Sequence, residues 1–416
     1  MSSPGENTLR IDGPRLWSTI MRSAEVGPGV AGGLRRLALS DSDKEIRDIF
    51  RDWCEAAGLP VTVDRLGNMF ARREGQEPGL PPVMIGSHLD TQIAGGRFDG
   101  IVGVLAGLEI ARTLNDRGVQ TRRPIEIVNW SNEEGARFAP PMSASSVFAG
   151  VNNLAWGLGR TDAEGVTFGA ELNRIGYAGP LPVGGRDIDA YFELHIEQGP
   201  ILDQAKIPVG VVTGSYAVRG FVTDVIGETS HAGPTPIAAR KNALVGAAMI
   251  AVGVNDIGWK YSPDGKSTVT RIENWPNLVG IVPSRAQVTV DMRHPDLETV
   301  KQMGAEFMAL LEDVRKRANV ETAIAEDWSY GAEGFDESCV ALVRDAANAL
   351  GHENMDILSQ AGHDAFNMAR VTPTAMIFCP CTDGITHNEA ENCLAEDVFP
   401  SVDVLMHAVL NRANRL

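Results

Sequence analysis

Two kinds of apolar pattern alternate along this chain: short β-branched runs and longer stripes at helical spacing. Val83-Met84-Ile85 and Ile125-Glu126-Ile127-Val128-Asn129-Trp130 are short, apolar and bounded by Pro and Gly, and they read as buried strands. Between them, residues 100–114 carry Val102, Leu105, Leu108 and Ala111 at mostly helical spacing, which makes a strand–helix–strand unit. Upstream, residues 14–55 read as helical, with Trp17, Ile20, Met21, Ile46, Ile49, Phe50 and Trp53 on the buried side. Residues 61–64 and 69–71 read as a hairpin through Leu66-Gly67-Asn68, and residues 160–190 as helix and loop. A further strand runs from Ala190 to His195.

Near residue 213 the pattern changes. The alternating runs 220–226 and 286–293 predict an antiparallel sheet with one wet face, accompanied by helical stretches at 238–254 and 297–318. After Trp328 the strand–helix rhythm returns, with a helix at 338–350, the apolar run 374–378 and a closing helix at 395–412. The expectation is an α/β domain in two parts, residues 1–212 and 330–416, interrupted by a smaller α+β insert at 213–329. A length of 416 residues agrees with two cores better than with one.

Composition narrows the partners. Hydrophobic content of 44% with 22% charged residues is ordinary for a globular protein. A net charge of −17 argues against nucleic acid or an anionic membrane as partner, but a local Arg can still receive a small anion. Five cysteines without regular spacing point to a reducing compartment. The N-terminal residues lack the apolar core of a signal peptide, and no run approaches the roughly 20 apolar residues of a membrane span. The expected location is the cytoplasm.

Chemistry concentrates where the predicted strands end. Parallel α/β sheets hold ligands at the carboxyl ends of their strands, and His88, Glu134, His195 and His387 each follow a predicted strand, while Asp99 opens a helix. Imidazole and carboxylate together suit borderline and hard divalent metals. Two such metals repel each other, and a carboxylate bridging them, with imidazoles around, lowers that repulsion and leaves positions for water. Glu133, next to Glu134, cannot point the same way and is free to act as a base on that water. Asp90, two residues after His88, is placed to hydrogen-bond the imidazole from behind.

Taken singly, each of these residues is more often a turn or a satisfied polar group; their co-occurrence at strand ends carries the reading. Gly27-Pro28-Gly29-Val30-Ala31-Gly32 fits the dinucleotide pattern GxGxxG, but no strand precedes it and Pro28 sits inside the turn, so a flexible loop is expected. His363 is expected to support the loop or the ligands from outside, and His294, His352 and His407 to lie on the surface. Cys379 and Cys381 read as core. The chain has no GxSxG elbow.

Six motifs then share one likeness. Gly86-Ser-His-Leu-Asp-Thr91, Gly96-Arg-Phe-Asp-Gly100, Trp130-Ser-Asn-Glu-Glu-Gly-Ala-Arg-Phe138, His195-Ile-Glu-Gln-Gly-Pro200, Ser230-His-Ala-Gly-Pro234 and Asp291-Met-Arg-His294 resemble the amidohydrolase branch of the M20 metallopeptidase family. That branch holds N-carbamoyl-L-amino-acid hydrolases, β-ureidopropionases and allantoate amidohydrolases. The resemblance covers nearly the whole chain in order. It implies a di-zinc aminopeptidase-like catalytic domain with an inserted lid domain that dimerises. It also implies His88, Asp99 and His195 on one metal, and Asp99, Glu134 and His387 on the other, with manganese or cobalt as possible replacements for zinc. Glu133 matches the general base. His231 matches a lid histidine that polarises the scissile carbonyl in the partner subunit's site, and Gln198, Asn277 and Arg293 fall at or near substrate-contacting positions, Arg293 gripping a carboxylate.

This sequence departs from the family pattern at Gly280, Ser284, Cys381 and Thr386, none of which is expected to touch a ligand. The expected activity is metal-dependent hydrolysis of a linear C–N bond in an N-carbamoyl amino acid or close analogue. The alternatives are allantoate or ureidoglycolate hydrolysis, or N-acyl-amino-acid hydrolysis. A binding protein on the same fold is disfavoured by the intact base and ligands.

Overall fold

The computed structural model describes residues 9–332 and 334–415. The chain divides into two compact units, Met1–Thr213 with Gly334–Leu416, and Gly214–Glu333.

The first unit is built on an eight-stranded mixed sheet. Its spatial order is Val61–Val63, Met69–Arg73, Ile125–Trp130, Val83–His88, Ala190–Ile196, Thr374–Cys379, Val209–Ser215 and Asn354–Ser359. The four strands from Ile125–Trp130 to Thr374–Cys379 run parallel. Every residue in them is buried, as parallel strands covered on both faces require. Helix Ile101–Asp116 connects two of them and packs on their face, buried on nearly all sides. Register aligns the chemistry: His88 lies opposite Trp130 and His195 opposite Phe378, so the polar segments that follow leave the sheet at one edge. Helix Ala395–Ala413 packs against the same sheet. His407 on it is buried and bonds the Leu9 carbonyl at 2.9 Å, so the surface position expected for it is wrong; the apolar positions around it carry it inward.

The second unit is a four-stranded antiparallel sheet in the order Glu321–Tyr330, Ala217–Ile226, Arg285–His294 and Lys266–Trp275. Helices Ala243–Tyr261 and Leu297–Ala318 pack on it, and Phe221, Val225, Val288, Val290, Phe307 and Leu311 form its core. A small ladder pairs Ser230–His231 with Ile281–Val282. The helix expected at 238–254 starts later, because the Asn242 side chain accepts from the Leu244 and Val245 amides and caps it there. Residues Ile237–Ala239 form a separate 3-10 turn after Pro236. The outer strands Lys266–Trp275 and Glu321–Tyr330 escaped the sequence pattern; most of their residues are exposed or half-buried, so they lack an apolar stripe.

Among the described residues no helix is long and apolar enough to cross a membrane.

Candidate metal centre

At the carboxyl edge of the parallel strands, five side chains converge in two overlapping groups. His88, Asp99 and His195 offer ligand atoms all within 4.8 Å of one another, and so do Asp99, Glu134 and His387. Asp99 belongs to both. Its Oδ1 lies 3.1 Å from His195 Nε2 and 3.7 Å from His88 Nε2, while its Oδ2 lies 3.3 Å from His387 Nε2. Glu134 Oε2 is 3.4 Å from His387 Nε2.

Each part is held by a local device. His88 Nδ1 donates to the Asp90 carbonyl at 2.9 Å and His195 Nδ1 to the Ile196 carbonyl at 2.9 Å, which turns both Nε2 atoms toward Asp99. Asp90 thus meets the His88 imidazole through its backbone carbonyl, which leaves its carboxylate for other partners. That carboxylate accepts from the amides of Glu133 and Glu134 at 3.3 and 3.4 Å and so fixes the turn that carries them. Asn132, at φ 56°, turns the chain off the strand, and its Nδ2 donates to the Phe138 carbonyl and Ser143 Oγ. Gln92 holds Glu134 with its amide at 3.0 Å and its side chain at 2.9 Å.

The electrostatics are those of a site built around cations. Asp90, Asp99, Glu133, Glu134, Glu193, Asp364 and Glu391 are all buried here, seven carboxyl groups whose mutual repulsion calls for positive charge. Burial and then the like charges of Asp364, Glu134, Asp90 and Asp99 push Glu133 well above the usual carboxylate range. Burial and Asp99 push Glu134 up to about 8. Asp99 goes the other way: despite burial, hydrogen bonds from His195 and His387 hold it well below the usual range. Burial lowers the His88 imidazole to about 4, so it is neutral, and its buried Nε2 has no hydrogen-bond partner. A neutral, orphaned imidazole nitrogen facing carboxylates is what a divalent cation requires. The N/O donor set fits the expected metals.

Glu133 Oε2 stands 3.5 Å from His88 Nε2, beside the ligands and outside both groups. Gln198, at φ 60°, donates through Nε2 to Asp99 Oδ2 at 3.0 Å. His363 is buried, its ring 4.4 Å from that of His195. Cys379 and Cys381 are buried at the strand end. Thr386 departs from the expectation that it would touch no ligand: its hydroxyl is 3.2 Å from Asp99 Oδ2 and 3.0 Å from Glu391 Oε2.

The remaining candidates lie in the second unit. His231 is exposed on the small ladder, and its Nδ1 accepts from the Gly233 amide at 3.0 Å, which leaves Nε2–H as a donor in the neutral tautomer. Asn277 is exposed. Arg293 makes a two-pronged contact with Asp291, Nε to Oδ1 at 2.6 Å and Nη2 to Oδ2 at 3.1 Å. Gly280 adopts φ 83°, a region that Gly enters freely.

Gln92, Asn132, Thr386 and Glu391 were not marked as functional by sequence. Their only signal was position, within a few residues of a ligand or the base.

The sequence matches the profile of Peptidase family M20/M25/M40 over residues 84–411. A protein from Rhizobium meliloti named N-carbamoyl-L-amino-acid amidohydrolase is 45% identical over 413 residues, 99% of each chain. A ureidoglycolate hydrolase from Oryza sativa subsp. japonica is 32% identical over 98% of this chain and 86% of its own length. Among solved structures, an amidase of the hydantoinase/carbamoylase family from Burkholderia vietnamiensis is 47% identical with a TM-score of 0.95, covering 98% of this chain and 99% of that one.

Proposed function

The chain belongs to peptidase family M20/M25/M40, and we propose that it hydrolyses the ureido C–N bond of an N-carbamoyl amino acid with two divalent cations, Asp99 being a candidate ligand of each. The observation that carries this reading is a single carboxylate shared by two ligand groups, with a second, non-ligating carboxylate, Glu133, beside them. His88 and His195 would hold one ion with Asp99; Glu134 and His387 would hold the other, with zinc, manganese or cobalt all compatible with these donors. Bound there, the ions supply Lewis acidity that makes water nucleophilic near neutral pH and polarises a carbonyl.

The chain's own groups do the rest. Glu133, whose surroundings favour holding a proton, takes one from the attacking water and returns it to the leaving nitrogen. Arg293, already oriented by Asp291, grips the substrate carboxylate with a planar fork, and Asn277 and Gln198 contribute hydrogen bonds to the substrate. The Nε2–H of the partner subunit's His231 donates to the carbonyl oxygen as it gains charge.

Dimerisation through the Gly214–Glu333 unit is supported by its apolar exposure. Val252 and Trp259 on helix Ala243–Tyr261, and Ile272 and Trp275 on the outer strand Lys266–Trp275, are all exposed. Five free, buried cysteines support a reducing, cytoplasmic setting.

The test is a substrate panel of N-carbamoyl-L-amino acids, allantoate, ureidoglycolate and N-acetyl amino acids, each with Zn²⁺, Mn²⁺ and Co²⁺. Turnover of the carbamoyl compounds above the others is expected. Turnover of ureidoglycolate or allantoate with none on carbamoyl compounds would replace this reading with the alternative that the rice relative's name suggests.

A further inference from the structure

The glycine-rich segment 27–33 is not used by the reaction, yet it is held in place. Gly29 N donates to the Gly33 carbonyl at 2.8 Å, and Leu34 and Gly95 exchange two backbone bonds at 2.9 Å. The segment is a loop, as expected from sequence, and it is stitched to the loop that leads into Asp99. Its backbone amides turn inward and surround a carboxylate. Val30 N and Gly33 N, each at 3.1 Å, donate to Glu389, and Ala31 N does so as well. Successive amides converging on one carboxylate form an anion nest, and here the anion belongs to the chain itself.

Glu389 lies two residues after His387. That ligand needs outside support more than the others do. His88 and His195 lie in strands and their side chains are 1% exposed, whereas His387 sits eight residues beyond strand Thr374–Cys379, at φ 50°, with its side chain 49% exposed. A second tether is at hand: Glu391 Oε1 accepts from the Phe98 and Asp99 amides at 2.9 and 3.1 Å. The close fit at the nest explains a glycine, since a Cβ on Gly33 would lie 2.3 Å from the Gly95 carbonyl oxygen and 2.6 Å from Glu389 Cα.

We infer that Glu389, seated in the nest of residues 27–33, is a positioning residue for one of the two ion sites: it pins the His387 loop and sets the affinity of the ion that His387 and Glu134 hold, without touching that ion. The inference rests on the two-ion reading above. It explains why a fragment resembling a phosphate loop occurs here without a nucleotide: the same amide chemistry serves an internal carboxylate.

The test is stepwise metal uptake. Metal-stripped wild type and Glu389→Ala are titrated with Zn²⁺ against a competing chelator, with bound metal counted by elemental analysis and the melting temperature of the stripped proteins recorded. Wild type should take up two ions. The variant should take up the first with wild-type affinity and the second roughly 10–100-fold more weakly, the usual scale for losing a group that orients a ligand. Its stripped form should melt with wild type, and Glu389→Gln, which keeps one acceptor, should recover part of the loss. Gly33→Ala, attacking the nest from the other side, should copy Glu389→Ala. Unchanged affinity for both ions, or equal weakening of both, overturns the inference while leaving the two-ion reading intact. A wild-type chain that takes up fewer than two ions overturns that reading, and the positioning role with it.

Discussion

The two halves of the candidate metal centre are built differently. His88 and His195 stand on adjacent parallel strands, buried, with Nδ1 bonded to backbone carbonyls within two residues. The sheet itself sets their positions. His387 sits in a long loop, half exposed, and is kept in place by contacts far away in sequence: Glu391 on the Phe98 and Asp99 amides, and Glu389 in the segment 27–33. A ligand fixed by a sheet costs little further order when an ion binds. A ligand on a loop must have its ordering cost met by tethers. Asp99, common to both halves, is the one residue whose loss should affect them together.

The largest effect expected follows from that. Asp99→Ala should leave the purified chain with well under one tightly bound ion, whereas His387→Ala should keep about one, since the loss of a shared bridge removes a ligand from both sites. Elemental analysis after gel filtration reads the difference, and equal losses from the two variants would erase the distinction between the halves.

Glu133→Gln separates chemistry from metal binding. Metal content should match wild type while kcat falls at least about 10²-fold, the usual scale for a general base. Unchanged turnover would put the base elsewhere.

A third expectation concerns the second unit. Inactive Glu133→Gln and His231→Ala chains, mixed and allowed to exchange, should form heterodimers with one intact site and regain up to about half the activity per heterodimer. No recovery, with exchange verified by mass, would mean that His231 serves its own subunit or none.

The smallest effect is expected at Arg293. Arg293→Lys keeps the charge but loses the planar fork, so KM for carboxylate-bearing substrates should rise roughly ten-fold, about 1.4 kcal/mol, with little change for a carboxylate-free amide. Equal effects on both would remove the carboxylate from its role.

The same contrast between sheet and loop explains what could be read in the sequence. The parallel strands announced themselves as apolar runs, and their ends located His88, Glu134 and His195 without any fold in hand. The likeness in motifs then led to the family to which the chain belongs. What escaped was long-range or backbone-borne. That the Asp90 carboxylate bonds the Glu133 and Glu134 amides, not the His88 ring, depends on how a turn folds back, and no residue pattern encodes it. Thr386 touching Asp99 joins two loops 287 residues apart. Glu389 meeting the segment 27–33 does the same over more than 350 residues, and an amide nest leaves in the sequence only glycines, which also read as a loop. The outer strands of the second unit were missed because none of their residues is fully buried and charged and polar residues break up their few apolar ones, so no apolar stripe marks them.

The most direct measurement strips the chain of metal, verifies the loss by elemental analysis, and follows hydrolysis of an N-carbamoyl-L-amino acid as divalent ion is returned in steps. No turnover in the stripped chain, and recovery that is complete only as the second equivalent binds, is the result expected of two ions sharing Asp99. Full turnover without metal, or complete recovery with the first equivalent, would contradict it.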